Sequence, residues 1–419
     1  METVVIVALI VFILTYLLIA VNKTPWFEIK RSYAALAGAI LMLLIGALSF
    51  NDALDSINYK VLLLLLGMMT LVAGLEFTGF FTLVSDLILR YSGSGAKLLF
   101  LIMVVSAILS AIALNDAVVL MFTPIVIRCC RKIKVNPIPY LVGLMMAANI
   151  GSIATAVGNP QNAYIVSFYG ISFLDFSLYS LPIAISCLAV CFLILLAIFR
   201  GSLMRKAEIT QCEEETRDID RIRLGVMIAI VCITFVGFML TGIFDIELYQ
   251  VALVSGLSSL IIVSTWSPRE IRWVVCRIDW HILLFFIGLF ILIGGASHSG
   301  LIDEFSSMIP GFGEGETPND VMLSVFSVIL SNLVSNVPAV MLIAQMMPSA
   351  SLMLCIVLAA SSTLAGNTTL IGSAANIIVA ERSERYGVRI DFLRFMLIGL
   401  AVTIATVALM LLCVAIMFN

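Results

Sequence analysis

Apolar runs of bilayer-spanning length take up much of this 419-residue chain and leave it few ways to fold. They fall at 3–21, 33–50, 60–77, 178–199, 223–243, 248–266, 279–296 and 395–418. A helix needs ~20 apolar residues to cross the hydrocarbon core, and each run is close to that. Composition agrees: 62% of residues are hydrophobic and 12% charged, against ~25% charged in a soluble domain, and the mean hydropathy is +1.16. The expectation is an all-α polytopic membrane protein. The first run has no basic residue before it and is too long for a signal-peptide core, so it reads as a retained span.

Four further apolar regions are interrupted in mid-run by polar residues or glycine: 97–128, 138–169, 320–348 and 351–379. The interruptions come in pairs. Gly67, Gly79, Ser110 and Asn115 recur 221 residues later as Gly288, Gly300, Ser331 and Asn336. Thr155, Gly158 and Asn162 share their T-x-x-G-x-x-x-N spacing with Thr369, Gly372 and Asn376. Matched breaks in the two halves of a hydrophobic chain are the sequence mark of a transporter repeat with its site near the bilayer midplane. The chain divides accordingly into an N-terminal half at 1–199, a charged linker at 200–223 and a C-terminal half at 224–419.

If 97–128 and 320–348 are re-entrant hairpins, every basic residue but Lys60 of the 23 present falls on one face. The positive-inside rule makes that face cytoplasmic and puts both termini outside. Lys97 and Arg128 flank the first hairpin, whereas Glu314, Glu316 and Pro348 flank the second. The two therefore dip in from opposite sides, as an inverted repeat requires. With 138–169 and 351–379 as unwound transmembrane helices, the fold has about 11 spans. Two full crossings by 97–128 would leave its ends on the same side, so this alternative stays open. The charges of the linker read as a solvated face.

Asp116 is the one acid placed at a hairpin tip. A carboxylate at bilayer depth costs roughly 2.5–3.5 kcal/mol on insertion scales, so it must face protein, water or a cation. It suits proton or Na⁺ coupling, with Asn115, Asn149 and Gly158 as further coupling-ion candidates; it also suits a helix cap, where the dipole favours negative charge. The second tip, Ser335-Asn336-Val337-Pro338, has no acid, and its Pro338 fits the first turn of a returning helix. Neither Asn149-to-Asn162 nor Ala365-to-Ser373 can be continuous helix, and unwound backbone survives in a membrane only inside protein or along a cavity. The candidate solute ligands are Asn115, Thr155, Asn159, Asn162, Ser335, Asn336, Asn367, Thr368, Thr369, Gly372, Ser373 and Asn376. Helix-to-helix glue through Ser, Thr and Asn would explain isolated cases but not four matched breaks.

The other polar residues point to less. Glu76, Asp86 and Arg90 read as interfacial. His281 and His298 sit at span ends with no visible partner. The nine cysteines form no C-x-x-C pair and read as small apolar fillers. No metal centre, cofactor, nucleotide loop or nucleophile–base pair is evident, so an enzyme is not expected. No nucleic-acid partner is expected either.

At the residues Asn115-Asp116 with Thr123-Pro124, Gly158 to Asn162, Ser335 to Pro338 and Gly366 to Gly372, the chain resembles the ion transporter superfamily. That group includes arsenite permeases, sodium-coupled di- and tricarboxylate symporters, citrate transporters and sodium/proton antiporters. The resemblance covers nearly the whole length. By position it implies a site of Asn115, Asp116, Asn149, Thr155, Gly158 and Asn162 facing Ser335, Asn336, Asn367, Thr369, Gly372 and Asn376. It also implies an elevator-like shift of the hairpin-bearing part, often in homodimers. Sodium–dicarboxylate members carry Ser-Asn-Thr at each tip, whereas this chain has Leu114-Asn115-Asp116 and Ser335-Asn336-Val337. Asp116 would repel a carboxylate unless neutralised, and the sequence places no Arg or Lys in the core to do so.

Together these readings predict a secondary active transporter in the plasma membrane, whose partners are the lipid bilayer and a small anionic or neutral oxyacid of arsenite type, coupled to H⁺ or Na⁺. The alternatives are a Na⁺/H⁺ antiporter and a sodium-coupled di- or tricarboxylate symporter. A channel would show flux without counter-ion coupling.

Overall fold

A computed structural model describes residues 2–20, 30–203, 220–267, 270–309, 311–312 and 318–418, and the regular structure among them is helical. Most of the 200–223 linker lies outside the described residues, as do Lys23, Arg269, Glu314 and Glu316. The first half runs α1 (Glu2–Ala20), α2 (Arg31–Leu44), α3 (Phe50–Asp55), α4 (Tyr59–Phe77), α5 (Phe80–Tyr91), α6 (Gly95–Ile112), α7 (Asn115–Lys132), α8 (Ile138–Ser152), α9 (Pro160–Tyr169), α10 (Phe173–Ile198) and α11 (Arg200–Leu203). The second runs α12 (Arg221–Phe244), α13 (Leu248–Trp266), α14 (Ile271–Arg277), α15 (Trp280–His298), α16 (Leu301–Met308), α17 (Asp320–Val334), α18 (Asn336–Met346), α19 (Leu352–Ala365), α20 (Ala374–Arg385) and α21 (Phe392–Phe418).

Among the described residues, α4, α6, α10, α12, α13, α15 and α21 are long and apolar enough to cross a bilayer, and six shorter apolar helices join them. The chain is a multi-pass integral membrane protein. Its outer flanks look the part. Leu178, Ile185, Leu193, Ile233, Ile243, Leu397, Ile404 and Ile416 of α10, α12 and α21 are exposed, apolar surface of the kind that lipid or a partner protein covers. Where helices start, short polar side chains take up the free N–H groups. Asn58, Ser94, Asn159, Ser172, Asn319 and Ser351 each accept from the amide three residues on.

The four interruptions lie where the apolar runs were broken in the sequence. Between α6 and α7 the chain turns over Ala113 and Leu114; between α17 and α18 it turns over Ser335 alone. Helix α8 stops at Ser152 and α9 resumes at Pro160, while α19 stops at Ala365 and α20 resumes at Ala374.

Packing repeats across the halves. Helix α4 lies on α13, and α2 on α15; α6 lies on α8, and α17 on α19. Glycine allows the closest of these contacts, as small residues do wherever membrane helices press backbone to backbone. A Cβ at Gly67 would stand 2.4 Å from the carbonyl of Ala252, and one at Gly288 would stand 2.6 Å from the carbonyl carbon of Ala35. Neither obstacle can swing aside. Gly67→Ala should therefore cost about 1–3 kcal/mol by overpacking and lower the thermal midpoint of the detergent-purified protein. Gly225→Ala, which meets nothing within 4 Å, should leave the midpoint unmoved; equal midpoints for both variants would contradict the packing argument.

Candidate functional site

The four interruptions converge. Helix α7 packs on α20, α9 on α18, and both α8 and α9 touch α19, so each broken helix meets elements of the other half. Asn149, on the last turn of α8, is at the centre and fully buried. Its amide nitrogen donates to Asn367 Oδ1 at 3.0 Å and Asn376 Oδ1 at 3.2 Å. Its oxygen accepts from Ser373 Oγ at 3.0 Å and from Asn115 Nδ2 at 3.4 Å. An amide side chain has two donor hydrogens and two acceptor lone pairs, so Asn149 is saturated by protein. One side chain thus ties the first hairpin tip to the second broken helix.

Asn162 and Asn376 do the same task in the two halves. Asn162 donates to the carbonyls of Ser152 and Thr155, each at 3.0 Å. Asn376 donates to those of Gly366 at 2.6 Å and Thr369 at 3.0 Å. These are carbonyls that the end of a helix leaves without an intrahelical partner. The hairpin tips are held likewise: the Asn115 backbone N–H donates to the Gly158 carbonyl at 3.0 Å, and the Asn336 side-chain amide, oriented with its nitrogen toward them, donates to the carbonyls of Ser362 at 3.1 Å and Gly372 at 2.9 Å. A second polar cross-tie joins the halves, with Asn159 donating to Thr363 Oγ1 at 3.3 Å. On the shared T-x-x-G-x-x-x-N spacing Asn149 matches Thr363 and Asn159 matches Ser373. The Asn149–Ser373 and Thr363–Asn159 bonds are therefore one contact made twice.

The remaining ligands chosen from sequence are placed as follows. Thr155 donates to the Ala111 carbonyl at 2.6 Å, bracing the first hairpin. Thr369 donates to Asn332 Oδ1 at 3.3 Å, bracing the second. Thr368 turns outward to Thr403 of α21, with 3.1 Å between hydroxyls. Gly158 has no room for a side chain, since a Cβ would stand 2.4 Å from the Ser152 carbonyl oxygen. Among the described residues, Asn162 Oδ1 on the first turn of α9, Asn367 Nδ2 in the second break and the hairpin hydroxyls of Ser110, Ser324, Ser327 and Ser331 have no protein partner.

Ser335 has φ 79° and ψ 158°, a region that side chains other than glycine's hydrogen hardly tolerate and that costs about 1–3 kcal/mol. Its counterpart Leu114 has ordinary values. Ser335→Gly should relieve that strain and raise the thermal midpoint, whereas Ser335→Ala should not; a midpoint unchanged in both would contradict it.

Asp116 is half-buried on the first turn of α7. Its backbone N–H donates to Asn115 Oδ1 at 2.9 Å. The side chain lines a narrow cavity of about 80 Å³ between α7, α4 and α15, together with Glu76, Arg277 and Asp279. Asp279 repels its charge and Arg31 attracts it. The expectation of a core with no base near Asp116 is corrected here. Arg277 of α14, far from Asp116 in sequence, lines the same cavity, and the charge of Arg31 at the start of α2 also acts on it. A second correction concerns His281, whose ring nitrogens face Lys30 Nζ at 2.8 Å and Ser32 Oγ at 3.3 Å. Glu76 is paired, with Arg277 at 3.3 Å.

Sequence reasoning also passed over Thr363, Asn332 and Gln161, the last of which donates to Thr363 Oγ1 at 3.3 Å. Extending the repeat spacing back from Thr369 to match Asn149 would have found Thr363; nothing in the local sequence marks the other two.

A many-span helical protein with polar, uncoiled backbone at its centre has the build of a membrane transporter. Residues 16–352 match the family model described as citrate transporter. The chain belongs to that family. It is 30% identical to a 46 kDa membrane protein of Mycobacterium leprae, over 96% of each chain. It is 26% identical to a silicon efflux transporter of Oryza sativa subsp. japonica, over 94% of each. A Dictyostelium discoideum chain named as a transporter, arsB, is 24% identical over 95% of this chain and 90% of its own.

Proposed function

We propose that the protein is a secondary active transporter that moves a small oxyanion or neutral oxyacid across the cell membrane, driven by H⁺ or Na⁺. The observation that carries this reading is Asp116, a carboxylate at a hairpin tip that lines a cavity and directly follows Asn115, a member of the Asn149 network. A carboxylate in that setting is a natural carrier of a proton or partial ligand of a cation. Polar atoms without a protein partner elsewhere in the broken helices and hairpins, the Asn162 oxygen and Asn367 nitrogen among them, would suit the O–H groups of an oxyacid. The name of the rice relative, a silicon efflux transporter, favours the same substrate class. The family description makes citrate the competing cargo, with Arg31 as partial compensation for Asp116.

The duplicated contacts support an inverted repeat of re-entrant hairpins and broken helices. In that arrangement α6/α7 enters from the basic, cytoplasmic face, α17/α18 from the opposite face, and both termini lie outside. Alternating access then follows from the hairpin-bearing helices sliding as an elevator against α2, α4, α13 and α15. Proteoliposome flux separates the readings. Arsenous or orthosilicic acid movement that responds to an imposed pH or Na⁺ gradient is the expected result. Na⁺/H⁺ exchange with no added solute would establish the antiporter instead, and gradient-dependent citrate uptake the carboxylate symporter.

A further inference from the structure

The mouth of the Asp116 cavity widens into a vestibule of about 600 Å³ lined by Glu76, Glu270, Trp273, Arg277, Arg128 and Arg382. These charges come from opposite sides of one seam. Glu76 belongs to α4 and Arg277 to α14, whereas Arg128 lies on α7 and Arg382 on α20. Glu76 and Arg277 line both the vestibule and the Asp116 cavity, so the two spaces adjoin.

The arginines are unequally engaged. Arg277 is 3.3 Å from one Glu76 oxygen and stands over the Trp273 ring, 4.7 Å from its centroid. Arg128 spends its Nε on the Pro124 carbonyl at 3.4 Å. Among the described residues, two buried atoms of these side chains are left without a protein partner, the second carboxylate oxygen of Glu76 and the Nε of Arg382. One can only accept and the other only donate. A bare anion would satisfy Arg382 and be repelled by Glu76; a metal cation would do the reverse. A molecule with hydroxyl groups satisfies both, because each O–H donates to the carboxylate while its oxygen accepts from the guanidinium.

The opposite face has a comparable cavity of about 460 Å³, lined by Asp55, Lys60, Tyr164, His298 and Gln345 among others, with no arginine. Its lysine is held by Glu247 at 2.5 Å. The unpaired donor–acceptor combination is thus found on one side.

We propose that this vestibule is a second solute station, in which Glu76 and Arg382 hold a neutral, polyhydroxylated oxyacid before it reaches Asp116. The substrate class rests on the function proposed above, but the station itself is read independently of transport. Trp273 provides the signal. In the detergent-purified full chain, titration with orthosilicic acid and separately with arsenous acid should give a saturable change in tryptophan emission that Trp273→Phe removes. Glu76→Gln and Arg382→Gln should each weaken it at least tenfold, while Asp116→Asn retains it.

A titration that never saturates with either acid, as expected if water alone bridges the two groups, would overturn the proposal. So would Glu76→Gln and Arg382→Gln proteins that titrate like the parent. Saturable, Arg382-dependent binding in a protein that carries neither acid across liposomes would keep the station and sink the transport reading instead.

Discussion

Asp116→Asn is expected to abolish gradient-driven solute flux in proteoliposomes while leaving the protein folded and monodisperse in detergent. The substitution keeps the size of the side chain and removes its negative charge. Its backbone N–H still donates to Asn115, and the α7 start loses only a favourable dipole contact of about 0.3–1 kcal/mol. What disappears is the one group at the tip that can pick up a proton or hold a cation. Downhill exchange of solute should survive better than uphill movement, because the Asn149 network is untouched. Two measurements check this: flux against a pH or Na⁺ gradient, and solute exchange at equilibrium. Full gradient-driven flux in the variant would remove Asp116 from the coupling step.

The second large effect is structural. Asn149→Ala should destabilise the protein by about 2–4 kcal/mol, taking ~0.6–1 kcal/mol for each of four interhelical hydrogen bonds. The loss extends beyond the deleted side chain, since Asn115, Asn367, Asn376 and Ser373 would each lose a partner in a buried setting. Asn149→Asp is a sharper probe. It keeps the volume and the acceptor but replaces two donated bonds with repulsion toward the oxygens of Asn367 and Asn376, so it should be at least as damaging. Thermal midpoints of both variants in detergent test the point. Normal stability with flux lost would instead make Asn149 a ligand of the coupling ion, the role suggested by sequence.

Most of the helices could be placed from residue pattern, because lipid removes the alternatives: an apolar run of ~20 residues can satisfy its backbone only by coiling. The breaks were legible for a related reason. Asn159-Pro160 and Gly366-Asn367 interrupt apolar runs that have no other cause to stop. The first break is narrower than the 149–162 stretch read from sequence, with α8 helical to Ser152 and α9 starting at Pro160, and α20 starts at Ala374 after the 365–373 stretch. Candidate ligands were found by type, since Asn and Thr buried in such runs need partners. Their division of labour was not legible. Asn149, Asn162 and Asn376 look alike in sequence, yet the amide nitrogens of Asn162 and Asn376 close helix ends within their own half, whereas Asn149 bridges the halves.

Sequence alone therefore determined the membrane class, the family and the positions of the four interruptions, because spacing and hydropathy act along the chain. Tertiary structure decided which charges meet. Arg277 shares a cavity with Asp116, Lys30 meets His281, and Glu76 pairs with Arg277 while the Nε of Arg382 has no partner among the described residues. These partners come from helices far apart in sequence, and Coulomb interaction depends on distance through space, which local pattern does not encode.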